Sequence, residues 1–239
     1  MSTEELQPSR LGTKEHWDNV YEEELANFEE TGDEALDDWL TRRRFGSESV
    51  EKMVEWSLDH VPPETTPSVL EVGSGNGTLL FALVDAGYVA DRILGIDYSP
   101  DAIKLAQSIA PTREAHNITF KLCDFLTEEL MLLDGMERDG GHGAWDLVLD
   151  KGTFDAIALM GKDEEGKSPL ERYPEKVSRS LKLGGHFLIT SCNFTEEELQ
   201  EKFISAETGL KYHSRIQHPT FTFGGKTGSV VASVAFQKT

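Results

Sequence analysis

The ten residues SVLEVGSGNG, from Ser68 to Gly77, decide the fold. They join a short apolar run to a glycine-rich turn, and an amphipathic segment follows as far as Ala86, so the stretch predicts a strand, a tight turn and a helix. Glycines in such a turn let a ligand approach the backbone, and the turn amides with the helix N-terminus can receive polar or anionic groups. The turn alone is a weak signal, because many α/β proteins have one.

The same alternation of apolar runs and amphipathic segments continues along the chain, which is typical of a parallel sheet with helices on both faces. Two final apolar runs flank three glycines and predict an antiparallel hairpin. The predicted parallel strands are 68–72, 92–97, 118–123, 145–149 and 186–191, and the hairpin strands are 210–216 and 230–236. A Rossmann-like, seven-stranded, mostly parallel α/β sheet follows from this pattern.

The helices between these strands carry their own signals. Ser99-Pro100 begins one of them, since proline is favoured in the first helical position. An inward stripe at Tyr173, Val177 and Leu181 predicts another, and Thr195 with Glu198 forms a capping box for the last.

The residues before Pro67 follow a different pattern. We expect residues 1 to about 11 to be disordered, because they lack periodic hydrophobicity. A first helix capped by Thr13 and ending near Gly32 has a stripe that starts at Trp17 and Tyr21, and a second is capped by Ser47. The expected inward residues of the second helix are Val50, Met53, Val54 and Leu58. We therefore divide the chain into a disordered start with an N-terminal helical cap, 1–66, and one α/β domain, 67–239.

The composition excludes several functions. The formal net charge of −20 repels nucleic acid, whose binding depends on Lys and Arg contacts to phosphates. The two cysteines, Cys123 and Cys192, and the scattered histidines lack metal-ligand spacing, so we expect neither a disulfide nor a metal site. No apolar run approaches the roughly 20 residues of a membrane helix, and Met1 to Arg10 is unlike a signal peptide. We expect a cytoplasmic monomer that contacts no membrane.

A second motif identifies the class of ligand. About 20 residues beyond the glycine turn, the second strand ends at Asp97, followed by Tyr98 and Ser99. This spacing places the Asp97 carboxylate where it can accept hydrogen bonds from both hydroxyls of an adenosine ribose. The alternative is that Asp97 caps the next helix, but we expect Ser99 to fill that cap. The two motifs together predict an adenosine-containing cofactor.

The first strand and its turn resemble the E/D-x-G-x-G-x-G motif of the seven-strand, or class I, S-adenosylmethionine-dependent methyltransferases. The resemblance implies that Glu71 lies near the methionine ammonium of the cofactor, although it could instead be a buried structural acid. It also implies that Asp124 and the Phe125 amide hold the adenine edge, unless Asp124 only begins a turn. The implied cofactor-binding residues are Trp17, Tyr21, Glu71, Gly73, Ser74, Gly75, Asn76, Gly77, Asp97, Tyr98, Asp124, Phe125 and Asp150.

A further stretch, from Asp150 to Ala156, resembles the D-K-G-T-x-D-A signature of the eukaryotic elongation factor 1-alpha lysine methyltransferases. Leu11 to Asp18 and Thr190 to Thr195 also resemble that group, so the likeness covers nearly the whole chain. Proline is missing after Asp150, which separates the chain from adenine methyltransferases with an N/D-P-P-Y/F motif. The chain departs from the group around Trp39, where an aromatic element is spread between Leu36 and Gly46.

The resemblance implies methyl transfer to a lysine of elongation factor 1-alpha. Asp150 is the first candidate for orienting the lysine amine and Asn193 the second. Trp17 and Tyr21 would close the cofactor pocket, or would only dock the first helix. Two other functions stay open on sequence grounds: a small-molecule methyltransferase of the same fold, and a noncatalytic cofactor-binding module.

Overall fold

The computed structural model describes residues 6–32, 46–138, 143–162, 166–219, 221–223, 226–229 and 231–239. Seven helices lie in these ranges: α1 Lys14–Thr31, α2 Gly46–His60, α3 Thr78–Asp85, α4 Pro100–Ile109, α5 Thr153–Ala158, α6 Tyr173–Ser180 and α7 Glu196–Phe203. The strands are β1 Val69–Val72, β2 Ile93–Asp97, β3 Thr119–Leu122, β4 Trp145–Lys151, β5 Leu181–Ser191, β6 Leu210–Ile216, β7 Phe221–Phe223, β8 Lys226–Gly228 and β9 Ala232–Lys238.

The main sheet has seven strands in the order β3-β2-β1-β4-β5-β9-β6. Strands β1 to β5 pair in parallel, and β9 runs antiparallel between β5 and β6. This confirms the predicted parallel sheet with a C-terminal antiparallel hairpin. Strands β7 and β8 form a separate two-stranded ribbon, which was not predicted.

The hydrophobic core lies on both faces of this sheet. One face packs Leu147 and Leu149 of β4 with side chains of α2, α3 and α4. The other packs Val148 of the same strand with side chains of α5, α6 and α7. Successive residues of a strand point to opposite faces, which explains the apolar run from Leu147 to Leu149 in the middle of β4.

Local signals place most helix ends correctly. Thr13 Oγ1 accepts the His16 amide at the start of α1, Gly32 ends that helix with φ of 64°, and Thr195 with Glu198 forms the predicted capping box. The apolar stripe predicted at Tyr173, Val177 and Leu181 is wrong at its last residue, which does not belong to helix α6. Leu181 begins β5, because α6 ends at Ser180.

The N-terminal region requires two corrections. Disorder is wrong for the stretch around Ser9, whose amide donates to Leu159 O at 3.1 Å, because the end of α5 supplies a packing surface that local sequence does not show. Helix α2 begins at Gly46, one residue before the predicted cap, and it exposes 37% of Leu58 while burying Trp56. Residues 1–5 and Trp39 lie outside the described residues.

The carboxyl ends of β1, β2, β4 and β5 meet at one edge of the sheet, because these strands are parallel. Ligands of open α/β sheets bind outside this edge. In the ranges that the structure describes, no helix is long and apolar enough to cross a membrane.

Candidate active site

The glycine turn after β1 forms the floor of the site. Gly73, Gly75 and Gly77 have φ of 68°, 53° and 83°, a left-handed conformation that favours glycine. A Cβ atom on Gly73 would lie 2.0 Å from Thr153 Oγ1, and one on Gly75 would lie 2.4 Å from the Tyr21 hydroxyl. Both conformation and space therefore require glycine here.

Asp97, at the end of β2, is buried beside this turn. Its carboxylate accepts the Gly75 amide at 3.0 Å and the Ser99 amide at 2.9 Å. Burial raises its pKa to about 6, while these amides and Lys14 oppose the shift. The expectation that Ser99 caps α4 is wrong for its side chain, because the buried Ser99 Oγ has no hydrogen-bond partner among the described residues.

Glu71 lies in β1 and is 2% exposed. Burial raises its pKa to about 8; Lys151 opposes this shift, whereas Asp150 and Asp97 add to it. Its Oε2 atom is buried and has no hydrogen-bond partner in the described part of the chain, and the same is true of Ser74 Oγ. A buried acceptor without a partner is costly, so these atoms fit a ligand that brings donors or positive charge.

Helix α1 covers the turn from the N-terminal side. The ring of Tyr21 stacks on Trp17 at 6.2 Å between centroids, and the Trp17 Nε1 donates to Leu11 O at 2.8 Å. Lys14 Nζ lies 5.2 Å from the ring centre of Tyr98. The Tyr21 hydroxyl lies next to Gly75 of the glycine turn. The hydrogen bond of Trp17 instead holds the N-terminal segment at Leu11.

Two other predicted cofactor residues hold local turns. Asp124 accepts the Leu126 amide at 2.9 Å and the Thr127 hydroxyl at 2.7 Å, and the neighbouring Phe125 is buried. Asn76 Oδ1 accepts the amide and hydroxyl of Thr78 at the start of α3. The alternative in which Asp124 begins a turn is correct for its carboxylate, and an adenine contact stays a prediction.

Asp150 is placed differently from the sequence prediction. Its side chain is 0% exposed and accepts the Thr153 amide at 2.9 Å, the Phe154 amide at 3.0 Å and the Tyr173 hydroxyl at 2.5 Å. Burial raises its pKa to about 7. This geometry argues against direct contact of the carboxylate with a substrate amine, because the first turn of α5 and Tyr173 already enclose it.

Asn193, the second predicted orienting residue, follows the end of β5. It is partly exposed, and its Nδ2 atom is buried with no hydrogen-bond partner within the described ranges. Its backbone amide donates to Ser191 Oγ at 3.2 Å. Its side-chain Oδ1 lies 3.8 Å from Cys192 Sγ, a long contact that leaves this oxygen able to accept a hydrogen bond at the ligand edge of the sheet.

Two site residues escaped the sequence analysis although they lie in the quoted 150–156 stretch. Thr153 Oγ1 donates to Val72 O at 2.8 Å, next to the glycine turn. Asp155 accepts from Ser191 Oγ at 2.5 Å and from the Cys192 amide at 2.8 Å. The signal was present in the D-K-G-T-x-D-A pattern, but the pattern does not show which element each side chain reaches.

Comparison with known proteins gives a consistent result at the level of sequence. A family model described as a methyltransferase domain matches residues 64–227. Human EEF1A lysine methyltransferase 2 is 42% identical over 97% of this chain and 88% of its own length. The protein-lysine N-methyltransferases efm4 of Schizosaccharomyces pombe and EFM4 of Saccharomyces cerevisiae are 40% and 38% identical, over 97% and 99% of this chain and 95% and 98% of their own.

Solved structures share the fold at much lower identity. The N-methyltransferase NodS of Bradyrhizobium japonicum WM9, in complex with S-adenosyl-L-homocysteine, has a TM-score of 0.60 at 18% identity, covering 93% of this chain and 98% of its own. Magnesium protoporphyrin IX methyltransferase of Synechocystis PCC 6803, with bound SAM, has a TM-score of 0.55 at 16% identity, covering 92% and 97%. At these identities the likeness shows the fold alone.

Proposed function

Because the chain belongs to the family of class I methyltransferases that includes human EEF1A lysine methyltransferase 2 and yeast EFM4, we propose that it methylates a lysine of translation elongation factor 1-alpha. The chain is a protein-lysine N-methyltransferase, because it is similar to these relatives over nearly their full length. That full-length similarity is the observation that carries the proposal. The acidic net charge of −20 supports a basic protein partner and disfavours a nucleic acid.

The methyl donor is S-adenosylmethionine, as the sequence predicts. When bound, it supplies an electrophilic methyl group on a sulfonium. The partnerless Glu71 Oε2 fits its ammonium group, and the left-handed glycine turn fits a ligand that approaches the backbone. We assign Asp97 to the ribose, Asp124 and the Phe125 amide to the adenine, and Tyr21 to closure of the pocket.

The lysine must lose its proton, which passes to water, before its nitrogen can attack the methyl group. At pH 7 this costs roughly 4.6 kcal/mol for a reference pKa near 10.4. Partial burial of the amine lowers this cost, since burial disfavours the ammonium form. Asn193 is our candidate for orienting the neutral amine, because its side-chain Oδ1 can accept a hydrogen bond from the lysine nitrogen. Alignment of the amine with the methyl group then supplies much of the rate.

Asp150 takes a different role in this proposal from the one that the sequence suggests. Its carboxylate holds the first turn of α5 and the Tyr173 hydroxyl, so it shapes the site without touching the amine. We also propose that the protein is a cytoplasmic monomer.

The experiment combines the purified chain, radiolabelled methyl donor and purified elongation factor 1-alpha. Label should enter one lysine, located by mass spectrometry of the digested substrate. An Asp97→Ala variant is the matched control and should transfer little label. Absence of label with the wild-type chain, or label on arginine, would reject the proposed substrate.

A further inference from the structure

The second carboxylate of the 150–156 stretch, Asp155, is 3% exposed and lies in α5. Its hydrogen-bond donors lie at the end of β5 and directly after it: the Ser191 hydroxyl at 2.5 Å, the Cys192 amide at 2.8 Å, Cys192 Sγ at 3.2 Å and the Asn193 amide. A buried carboxylate with these donors joins two elements that are 36 residues apart in the chain.

The Ser191 hydroxyl links Asp155 to two backbone amides further along the chain. It donates its single proton to Asp155, so its lone pairs are directed at the Asn193 amide at 3.2 Å and the Phe194 amide at 3.0 Å. The conformation of residues 191–194, which we name the β5 loop, therefore depends on one carboxylate. Asn193 belongs to this loop; its Nδ2 is buried without a partner among the described residues, and its Oδ1 lies 3.8 Å from Cys192 Sγ.

We propose that Asp155 is a positioning residue for methyl transfer, holding the β5 loop so that Asn193 meets the substrate lysine. The inference rests on the proposed lysine acceptor and on the role assigned to Asn193. Asp155 itself acts through Ser191 and the loop backbone rather than on the amine.

The position of Asp155 on α5 adds a second constraint. Thr153, two residues earlier on the same helix, bonds Val72 O beside the glycine turn. Because Thr153 and Asp155 lie in the same six-residue helix, α5 joins the cofactor turn to the β5 loop. This arrangement suits a reaction in which the amine and methyl group must align closely.

The variant Asp155→Asn tests the idea with little change in volume. Its amide oxygen can still accept from Ser191, but its NH2 group then faces the Cys192 N–H, so a donor meets a donor. Asp91→Asn, at an exposed position, is the matched control. In the variant, the amide of Cys192 should exchange hydrogen about 10-fold faster or more, since its hydrogen bond to a charged group is lost.

Binding of S-adenosylhomocysteine, measured by calorimetry, should change less than about 3-fold in Asp155→Asn, because the residues that we assign to the cofactor lie on or directly after β1, β2 and β3. Unchanged exchange at Cys192, with the melting temperature also unchanged, would overturn the proposal. So would a loss of affinity for S-adenosylhomocysteine as large as the loss of kcat.

A kinetic cycle with Asn193→Ala completes the test. If Asp155 acts through Asn193, each single variant should lower kcat by about 10-fold or more, and the double variant should be little worse than either. Multiplicative losses would overturn the link to Asn193. Inactivity of the wild-type chain on elongation factor 1-alpha would instead reject the proposed substrate, and the exchange measurement, which needs no acceptor, would then decide on Asp155.

Discussion

Thr153 Oγ1 lies 2.8 Å from the carbonyl oxygen of Val72 and donates a hydrogen bond to it. The same hydroxyl would lie 2.0 Å from a Cβ atom on Gly73. The 150–156 stretch is therefore packed directly on the cofactor turn, and a side chain at Gly73 would push the two apart.

Gly73→Ala should weaken both folding and cofactor binding. A left-handed backbone costs an L-residue roughly 1–2 kcal/mol, and displacement of Thr153 adds to this cost. The melting temperature and the dissociation constant for S-adenosylhomocysteine should both change, the latter by about 10-fold or more, if roughly 1.4 kcal/mol of binding energy is lost. Gly161→Ala is the control, since no described residue other than its two chain neighbours lies within 4 Å of its Cβ position. Equal behaviour of the two variants would contradict the packing of Thr153 against Gly73.

The Asp150 assignment is tested by removing its partner. Tyr173→Phe deletes the hydroxyl that bonds the buried carboxylate, and the lost bond is worth about 1.5–3 kcal/mol. If Asp150 acts by holding α5, Tyr173→Phe and Asp150→Asn should both lower the melting temperature and kcat. A direct role on the amine predicts another pattern: Tyr173→Phe would keep wild-type kcat, while Asp150→Asn would lose it at an unchanged melting temperature.

Cofactor binding should release a proton from Glu71. In the free chain its pKa is raised to about 8, with Lys151, Asp150 and Asp97 as the charged groups that face it. An ammonium group beside Oε2 favours the carboxylate, so affinity for S-adenosylhomocysteine should fall as pH drops below 8, by up to about 10-fold per unit. Calorimetry in buffers of different ionisation enthalpy measures how many protons are released when the ligand binds.

Glu71→Gln is the control for this prediction and should release less proton with a flatter pH profile. The free chain should show the opposite trend in stability. Because the folded pKa exceeds the unfolded value of 4.5, the stabilising effect of Glu71 is complete below pH 4.5 and is lost as pH rises through 8. A pH profile unaffected by Glu71→Gln would assign the proton to another group.

A histidine cluster on β5, β6 and α2 should make stability sensitive to acid. The ring of His213 lies 4.8 Å from His186 and 5.1 Å from His60, and Trp56 stacks on His60 at 4.3 Å. Burial lowers the pKa of His186 to about 4, with smaller contributions from the charges of His213 and His60. Its Nε2 has no partner among the described residues.

Since the unfolded chain binds a proton at His186 near pH 6.5, the folded state should lose stability as pH falls from 6.5 towards 4. The melting temperature over this window should fall less steeply in His186→Gln than in the wild-type chain. Exposed His116→Gln is the control. If the two variants have the same slope, His186 does not account for the acid sensitivity.

Residues with local requirements could be located from the sequence. The seven strands of the main sheet, the glycine turn, the Thr13 cap and the Thr195 capping box all follow from apolar periodicity or from φ and hydrogen-bond needs within a few residues. The signature from Asp150 to Ala156 also indicated the family correctly. What it did not give was the direction of each carboxylate.

The sequence by itself therefore determined the sheet, the cofactor class and the family, because each depends on residue type at short spacing. Only the tertiary structure decided that Asp150 turns into α5 and Tyr173, that Asp155 reaches Ser191, and that the histidines of three distant elements meet around Trp56. A side chain at the end of a strand can point towards any element packed over it, and that choice is made by helices distant in the sequence. Its free energy depends on burial and partners that no local pattern contains.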